Sequence, residues 1–362
     1  MFDEYHYVPV LKGKQGEYGA LAEADERVRS SITPLIEIPS VPYDFAAEEP
    51  AKSAQAHVGE VAKKIGRCWG GERRFFLDAG LLAEEDQIDG RHPLAVVLDD
   101  ARELGLQAVP VTGVARSESY DAAVEGAVSV DQRGICLRLV GEDLEEPEEL
   151  PEVVEAEVMA ALGLKTGEVD LVLDLGSISA EQRWTGATVR LLLAALPEIG
   201  DWRSLTLIAS SFPLDLSGID GDSTALIPRA EWAIWRALHA RADRLGRLPS
   251  FGDYAISHPA PREVDPRIIQ RSAAIRYSAD DEFLILKGRS IQAQGSEQHY
   301  DLAAELVNRP EFHGEDFSWG DAYVASRARR QGGPGSGTTW RKAGTSQHLA
   351  LVTTQIANLR DA

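Results

Sequence analysis

The sequence predicts an α/β protein built around a closed (β/α)8 barrel, and three features support that fold class. Short runs rich in valine, isoleucine and leucine alternate with longer segments whose apolar residues repeat at helical spacing, as in parallel βαβ units. Continuous apolar runs such as Leu171-Val172-Leu173 suit strands that are covered on both faces. No Gly-x-Gly-x-x-Gly turn follows the first strand, so the alternative, a doubly wound open sheet, is less favoured.

Eight apolar runs have the length of barrel strands, which is the number that a (β/α)8 barrel needs. They are predicted at 7–11, 34–38, 75–78, 108–112, 135–139, 171–174, 205–209 and 253–257. Helices are predicted between the strands at 94–104, 150–162, 180–196 and 229–245. We therefore expect a TIM-barrel-like core over residues 1–260.

After the eighth predicted strand the pattern no longer alternates between strand and helix. The apolar runs 274–277 and 283–287 flank the turn-forming Ser278-Ala279-Asp280-Asp281, which predicts a β-hairpin appended to the barrel. A glycine-rich stretch at 332–337 and a final helix at 347–359 follow. Residues 261–362 are therefore predicted to form a hairpin and a C-terminal helical segment packed over the barrel mouth.

The composition limits the classes of partner. With 58 acidic and 37 basic residues the net charge is −21, which would repel a phosphate backbone and disfavours nucleic-acid binding. The N-terminus lacks a basic start and an apolar run, and no stretch approaches the roughly 20 apolar residues of a membrane helix, so we predict a cytoplasmic protein. Cys68 and Cys136 stand in unlike contexts and are predicted to be ordinary thiols.

Polar residues that end the predicted strands are the candidate site, because barrel active sites lie at the C-terminal ends of the strands. Glu37 and Asp174 interrupt apolar runs, where a lone buried carboxylate would be costly. Convergence with Lys12 and Arg138 would satisfy them and create a site able to hold an anion or perform general acid/base chemistry. The alternative is a set of structural ion pairs capping the barrel. The full candidate set at the strand ends is Lys12, Lys14, Glu37, Asp78, Thr112, Arg138, Asp174, Ser210, Ser211, Asp253 and Tyr254.

Metal binding is not predicted, because the eight histidines form neither a His-Glu-x-x-His nor a His-x-His pair. Glu37, Asp78 and Asp174 could still supply oxygen ligands to magnesium, and that possibility stays open. The sequence names no cofactor.

The glycine-rich stretch 332–337 and the residues after it form a second candidate site. Its backbone N–H groups could wrap a phosphate while Arg341 supplies charge, although it lacks the Gly-Lys-Ser/Thr of a P-loop. The alternative is a mobile loop. Several side chains that are able to bind a ligand concentrate here in an otherwise acidic chain, which favours a functional role over a mobile loop. They are Arg327, Arg329, Arg330, Thr338, Thr339, Trp340, Arg341 and His348.

Several of these segments together resemble the beta protein family, named for a protein encoded by a phage satellite. The matching residues are Tyr7-Val8-Pro9-Val10-Leu11-Lys12-Gly13-Lys14 with Glu17, Pro34-Leu35-Ile36-Glu37, Phe251-Gly252-Asp253-Tyr254, Ile275-Arg276-Tyr277, Trp319-Gly320-Asp321, 333–341 and Gly344-Thr345-Ser346-Gln347-His348. At Ser346-Gln347 the chain departs from the Asn-His of other members.

The resemblance implies a barrel-like fold and an association with mobile elements and anti-phage defence, with a partner encoded nearby, but no particular reaction. The site residues that it carries over are Lys12, Lys14, Glu37, Asp253, Arg276, Thr339, Trp340, Arg341 and His348.

Two functional hypotheses follow. In the first, the chain is a defence-associated protein that binds a protein partner or an anionic ligand at the barrel mouth. In the second, it is a hydrolase or transferase acting on a phosphate-bearing small molecule or nucleotide, with Glu37, Asp174 and His348 as catalytic candidates. Fold alone supports neither hypothesis, because barrels host unrelated functions.

Overall fold

A computed structural model describes residues 2–145, 149–152, 154, 159–178, 184–196, 199–260 and 271–360. Its strands are β1 (Tyr7–Leu11), β2 (Leu35–Glu37), β3 (Tyr43–Asp44), β4 (Glu49–Pro50), β5 (Arg74–Asp78), β6 (Gln107–Thr112), β7 (Ile135–Val140), β8 (Val169–Ser177), β9 (Ser204–Ser210), β10 (Ser223–Pro228), β11 (Ser250–Asp253), β12 (Ser272–Ser278) and β13 (Glu282–Ser290). The helices are α1 (Gln15–Glu23), α2 (Glu26–Ser31), α3 (Ala54–Val58), α4 (Val61–Cys68), α5 (Pro93–Glu103), α6 (Glu118–Asp131), α7 (Leu150–Glu152), α8 (Ala160–Leu162), α9 (Gly186–Ala195), α10 (Ala230–His239), α11 (Ile291–Gln294), α12 (Gln298–Val307), α13 (Trp319–Ala328) and α14 (Gly337–Arg360).

Eight of the strands close into a barrel in the order β1-β11-β9-β8-β7-β6-β5-β2, and each of its described neighbour pairs is parallel. Helices lie between successive strands, so the predicted (β/α)8 barrel is confirmed and the open-sheet alternative is excluded. Apolar side chains fill the barrel interior, including Val8, Phe76 and Val172. A second apolar layer, to which Trp232 and Trp235 belong, joins the barrel to its helices. Both cysteines are buried and unpaired thiols.

The eighth barrel strand lies earlier in the chain than predicted. Strand β11 runs over Ser250–Asp253, whereas the prediction of 253–257 is correct only at its first residue. Gly252 suits the strand because a β-carbon there would come within 2.5 Å of the Ile208 side chain. Beyond Asp253 the chain leaves the sheet and turns at Ala255, whose φ is 49°. Asp253 therefore ends the strand, and the residues after it belong to the barrel mouth.

Three predicted helices also need new boundaries within the described residues. The predicted helix at 229–245 ends at His239 and is followed by a 3-10 turn, Ala242–Arg244. The prediction at 180–196 corresponds to α9, although 180–183 lie outside the described residues. At 150–162 only α7 and α8 at its two ends are described as α-helix, since 153 and 155–158 lie outside the described residues.

The C-terminal part builds an antiparallel sheet, β10-β13-β12, beside the barrel. The predicted hairpin is β12 and β13, and the third strand comes from the connection between barrel strands β9 and β11. Helices α12, α13 and α14 pack on this sheet through a separate apolar cluster that includes Tyr277, Leu286, Val324 and Trp340. The sheet therefore joins the barrel chain to the C-terminal chain.

Helix α14 begins ten residues before the predicted start at 347. The Ser336 hydroxyl accepts a hydrogen bond from the Thr339 amide at 3.2 Å, as a helix N-cap does. The helix passes so close to α13 that a β-carbon on Gly320 would lie 2.1 Å from the Ala343 carbonyl oxygen. Among the described residues, no helix is both long and apolar enough to cross a membrane.

Candidate functional site

A buried arginine gathers three carboxylates at the C-terminal mouth of the barrel. Arg138 Nε and Nη2 donate to Asp174 Oδ2 at 2.9 and 2.7 Å, and Arg138 Nη1 donates to Glu37 Oε1 at 2.9 Å and Asp78 Oδ2 at 2.7 Å. Each of these four residues is at most 7% exposed. We call Glu37, Asp78, Arg138 and Asp174 the mouth cluster.

The barrel register brings the mouth cluster together. Glu37 and Asp78 end the adjacent strands β2 and β5 and are directly paired, while Asp174 is paired with Val140 at the end of β7. Because parallel strands end at one rim of a closed barrel, side chains from distant parts of the chain meet there. The predicted convergence of these residues is therefore observed.

Tyr254 and Lys12 extend the mouth cluster. The Tyr254 hydroxyl donates to Asp174 Oδ2 at 2.5 Å and accepts from Arg138 Nη2 at 2.5 Å. Lys12 Nζ donates to the Pro259 carbonyl oxygen and lies 3.9 Å from Glu37 Oε2. Burial raises the pKa of Tyr254 well above its ordinary value, so its hydroxyl keeps its proton.

The pKa values of Glu37 and Asp78 are shifted in opposite directions. Burial raises the pKa of Glu37 despite Arg138, and its Oε2 is buried with no hydrogen-bond partner. Burial also acts to raise the pKa of Asp78, but Arg138 and then Arg116 outweigh it and hold that pKa below its ordinary value. Arg116 Nη2 lies 3.7 Å from Asp78 Oδ1. Glu37 is thus the carboxyl of this pair that holds a proton more readily.

The mouth cluster is arranged around a guanidinium instead of a metal ion. Arg138 occupies the space between Glu37, Asp78 and Asp174 and hydrogen-bonds to all of them. Among the described residues, no group of three or more histidine, cysteine, aspartate and glutamate side chains is placed to hold a metal.

A second buried network fastens α14 to the barrel. His348 Nε2 is 2.8 Å from Asp253 Oδ2, and His348 Nδ1 is 2.6 Å from Ser278 Oγ on β12. The Tyr7 hydroxyl donates to Asp253 Oδ1 at 2.5 Å. His348 is 0% exposed and Asp253 1%, and both are bonded within this network. The structure places both residues in the network between α14 and the barrel and outside the mouth cluster, and their expected site roles stay predictions.

Comparison with known proteins identifies the family. The family model described as "Beta protein" matches residues 7–354, which is nearly the whole chain. The chain belongs to the beta protein family. A comparison with curated proteins gave no match.

Solved structures similar to this beta protein family member share little sequence with it. One is the Haloferax volcanii malate synthase in a lead(II) complex, with a TM-score of 0.28 and 12% identity, covering 82% of this chain and 98% of that chain. Another is the C-terminal domain of a putative chitinase from Desulfitobacterium hafniense DCB-2, with a TM-score of 0.33 and 10% identity, covering 97% of this chain and 99% of that chain. Neither likeness bears on function.

The remaining residues carried over from the beta protein family lie in different environments. Arg341 Nη1 donates to the carbonyl of Ile256 at 2.6 Å and to Ser257 Oγ at 3.2 Å, beside the mouth. Arg276 is half-buried next to it, and Lys14, in the turn before α1, is exposed.

Thr339 and Trp340 hold the start of α14 and do not line the mouth cluster. The Thr339 amide donates to the Ser336 cap. Trp340 is 5% exposed, stacks on His299 with ring centroids 5.0 Å apart, and donates from Nε1 to the Pro334 carbonyl at 2.9 Å. The Trp340 ring lies inside the apolar cluster under the glycine-rich stretch, and its expected ligand-binding role stays a prediction.

Sequence reasoning missed Arg116 and Tyr7. Arg116 lies in the loop after β6, four residues beyond Thr112, whereas the search for candidates stopped at the strand ends. Tyr7 opens β1 inside an apolar run and gives no polar signal until its partner Asp253 is known. A search extended over the loops that follow each strand would have found Arg116.

A buried carboxyl beside the α14 network gives a pH prediction. Burial raises the pKa of Glu231 from 4.5 to about 7. The folded state therefore binds this proton more tightly than the unfolded state, and stability should fall as the pH rises through that interval. Between about pH 4.5 and about pH 8, the free energy of unfolding of the wild type should fall by up to about 3 kcal/mol more than that of Glu231→Gln. Urea unfolding of both proteins across this range measures the difference, and parallel curves would contradict the assignment.

Proposed function

We propose that this beta protein family member binds an anionic ligand at the C-terminal mouth of its barrel. The observation that carries the proposal is the charge at the mouth. Among the mouth residues that the structure describes, six basic side chains stand against four acidic ones, in a chain whose net charge is −21. The basic residues are Lys12, Lys14, Arg116, Arg138, Arg276 and Arg341, and the acidic residues are Glu17, Glu37, Asp78 and Asp174.

The form of the site supports a small ligand over a flat protein surface. Lys12, Glu37 and Asp174 lie around one rim and are buried, and Arg341 reaches the same rim from α14. Buried polar groups that converge at the C-terminal end of a barrel are typical of small-molecule sites. A protein partner encoded nearby remains the alternative occupant of this proposal.

The association with mobile elements and anti-phage defence is the biological setting that we propose for this binding. Cells that express the chain should resist a phage panel better than cells that express the Arg138→Lys variant, because lysine cannot replace the guanidinium fork that holds three carboxylates. Equal plating efficiency in both strains across the panel would remove the defence setting from the proposal.

A second candidate function is catalysis, and Glu37 favours it. Its Oε2 is buried without a hydrogen bond, lies 3.9 Å from Lys12 Nζ, and belongs to a carboxyl whose pKa burial raises. A carboxyl with a raised pKa and a free oxygen is suited to act as a general acid or base. The corresponding enzyme would be a hydrolase or transferase acting on a phosphate-bearing small molecule or nucleotide.

One experiment tests both candidates. Purified protein is incubated with nucleotides and phosphorylated metabolites, with and without magnesium, and thermal stabilisation and turnover are recorded. A ligand that occupies the mouth should raise the melting temperature by mass action. Glu37→Gln should retain that stabilisation but reduce any turnover by roughly 100-fold or more, because it removes the exchangeable proton.

Glu231→Gln is the matched control for Glu37→Gln, because Glu231 is also a buried carboxyl with a raised pKa but bonds to Ser211 instead of Arg138. It should leave both stabilisation and turnover unchanged. Stabilisation without turnover supports binding alone. No stabilisation by any member of the panel would contradict the small-ligand proposal and turn attention to the protein partner.

A further inference from the structure

Arg276 and Arg341 are half-buried, and they differ from the more deeply buried arginines of the described chain. Arg138, Arg203 and Arg229 each have a carboxylate oxygen within 3.9 Å. Among the described residues, no carboxylate forms an ion pair with Arg276 or Arg341, and Arg276 Nε is buried without a hydrogen bond. The charge of Glu17 opposes the lowering of the Arg341 pKa by burial, but no carboxylate has this effect on Arg276. A partly buried cation without an ion-pair partner is costly, so Arg276, with Arg341 beside it, favours binding of an anion.

Helix α14 brings the two arginines to one place. Gly344 lies so close to β12 that a β-carbon there would be 2.6 Å from the Arg276 carbonyl oxygen. Arg341 precedes Gly344 by three residues and lies on the same helix face, one turn earlier. His348 follows on that face, and its bonds to Asp253 and Ser278 fix the helix against the barrel and β12.

The surroundings of the pair are apolar on one side and polar on the other. The Arg276 guanidinium carbon lies 5.6 Å from the centroid of the Phe212 ring. Arg341 bonds to Ile256 and Ser257 on the mouth side. Burial, and then the neighbouring Arg341, lower the pKa of Arg276, as expected for two cations that share a site. Both residues are only half-buried, so an anion can reach them from solvent.

We propose that Arg276 and Arg341 form a subsite for the phosphate group of a phosphorylated small molecule. Two planar guanidinium groups can donate paired hydrogen bonds to the oxygens of a phosphate dianion. The bound dianion would also relieve the repulsion between the two arginine cations. The rest of the ligand lies toward Lys12, because the segment whose Ser257 bonds Arg341 continues to Pro259, which accepts from Lys12. This inference rests on the proposed function and names the ligand class of that site.

The test uses inorganic phosphate as the probe, in calorimetric titrations of the full chain at constant ionic strength. Phosphate should bind the wild type, and Arg276→Met or Arg341→Met should weaken binding by about 10-fold or more, as loss of a charged hydrogen-bond donor does. Lys342→Met is the matched control, because Lys342 is the next residue but pairs with Glu23 at 2.7 Å. It should bind phosphate as the wild type does.

A stability measurement separates a ligand subsite from a structural role. Without phosphate, Arg276→Met should melt at or above the wild-type temperature, because it removes an unpaired buried cation. A large fall in melting temperature would mean that Arg276 has an internal partner and would overturn the proposal. Arg276→Lys keeps the positive charge but lacks the planar guanidinium with its paired N–H donors. It should therefore bind phosphate more weakly than the wild type.

Other outcomes distinguish this inference from the proposed function. Phosphate binding that is absent from the wild type, or equal in the wild type and both methionine variants, overturns the subsite. If a panel anion still binds in an Arg138-dependent manner, the proposed function survives that result. Glu263 and Asp265 lie outside the described residues. Phosphate binding that is absent from the wild type and appears only in a Glu263→Gln, Asp265→Asn double variant would also overturn the subsite.

Discussion

Arg138→Leu is expected to lower the free energy of unfolding by about 3–5 kcal/mol at neutral pH, the range found when one partner of a buried ion pair is removed. Arg138 is 7% exposed and donates to Glu37, Asp78 and Asp174. Without it, three buried carboxylates face one another at the barrel rim. Urea unfolding of the variant and the wild type measures the loss.

The pH dependence of the Arg138→Leu variant provides a sharper test than its stability at one pH. Lone buried carboxylates favour the protonated form, so lowering the pH from about 7 to about 5 should restore part of the lost stability. The matched control is Arg203→Leu, which removes a buried arginine bonded to the single carboxylate of Asp170 at 2.6 Å. It should recover less at low pH. A loss below about 1 kcal/mol for Arg138→Leu would show that the mouth cluster contributes little to folding.

Asp253→Ala is expected to have the second large effect, a fall of about 3–5 kcal/mol in the free energy of unfolding. The loss should mainly weaken the attachment of α14 to the barrel. Asp253 accepts hydrogen bonds from Tyr7 at 2.5 Å and the Ala255 amide at 2.8 Å, and pairs with His348 at 2.8 Å. Its removal leaves these groups buried without an acceptor. Hydrogen exchange followed by mass spectrometry should show faster exchange in β12 and α14 than in the barrel strands.

Asp253→Asn tests which property of the side chain matters. Asparagine keeps the size of aspartate and one acceptor oxygen. Asp253→Asn should therefore lower the free energy of unfolding less than Asp253→Ala does, and should loosen the attachment of α14 less. Burial lowers the pKa of His348 even though Asp253 opposes the shift, so a neutral histidine can still hydrogen-bond to the asparagine oxygen. If exchange in α14 stays at the wild-type rate in Asp253→Ala, the network does not hold the helix.

The barrel and much of its mouth could be predicted because both follow from short-range patterns. Apolar runs locate the strands, and a charged residue at the end of a run, such as Glu37, Asp78 or Asp174, must lie at the common rim. The partner Arg138 could be predicted for the same reason, since a carboxylate in an apolar setting requires a cation.

The C-terminal part was harder to predict because its buried positions are polar. The middle of α14 buries Thr345, Ser346, Gln347 and His348, so apolar periodicity does not mark the helix before residue 347. Their partners lie elsewhere in the chain: Gln347 bonds the Ser278 backbone at 2.8 and 3.0 Å. A single sequence holds no record of such distant pairings, and for that reason the contacts of His348 with Asp253 and Ser278 could not be predicted.

The third strand of the accessory sheet has a consequence for how the chain is made. Strand β10 leaves the ribosome before barrel strand β11, yet its partner β13 is synthesised more than fifty residues later. During that interval β10 has a bare edge, which is the kind of surface that recruits strands from other molecules. The barrel can close around β11 only with this unpaired strand projecting from its side. Nascent chains stalled before β13 should therefore be the species most prone to aggregate and most dependent on chaperones.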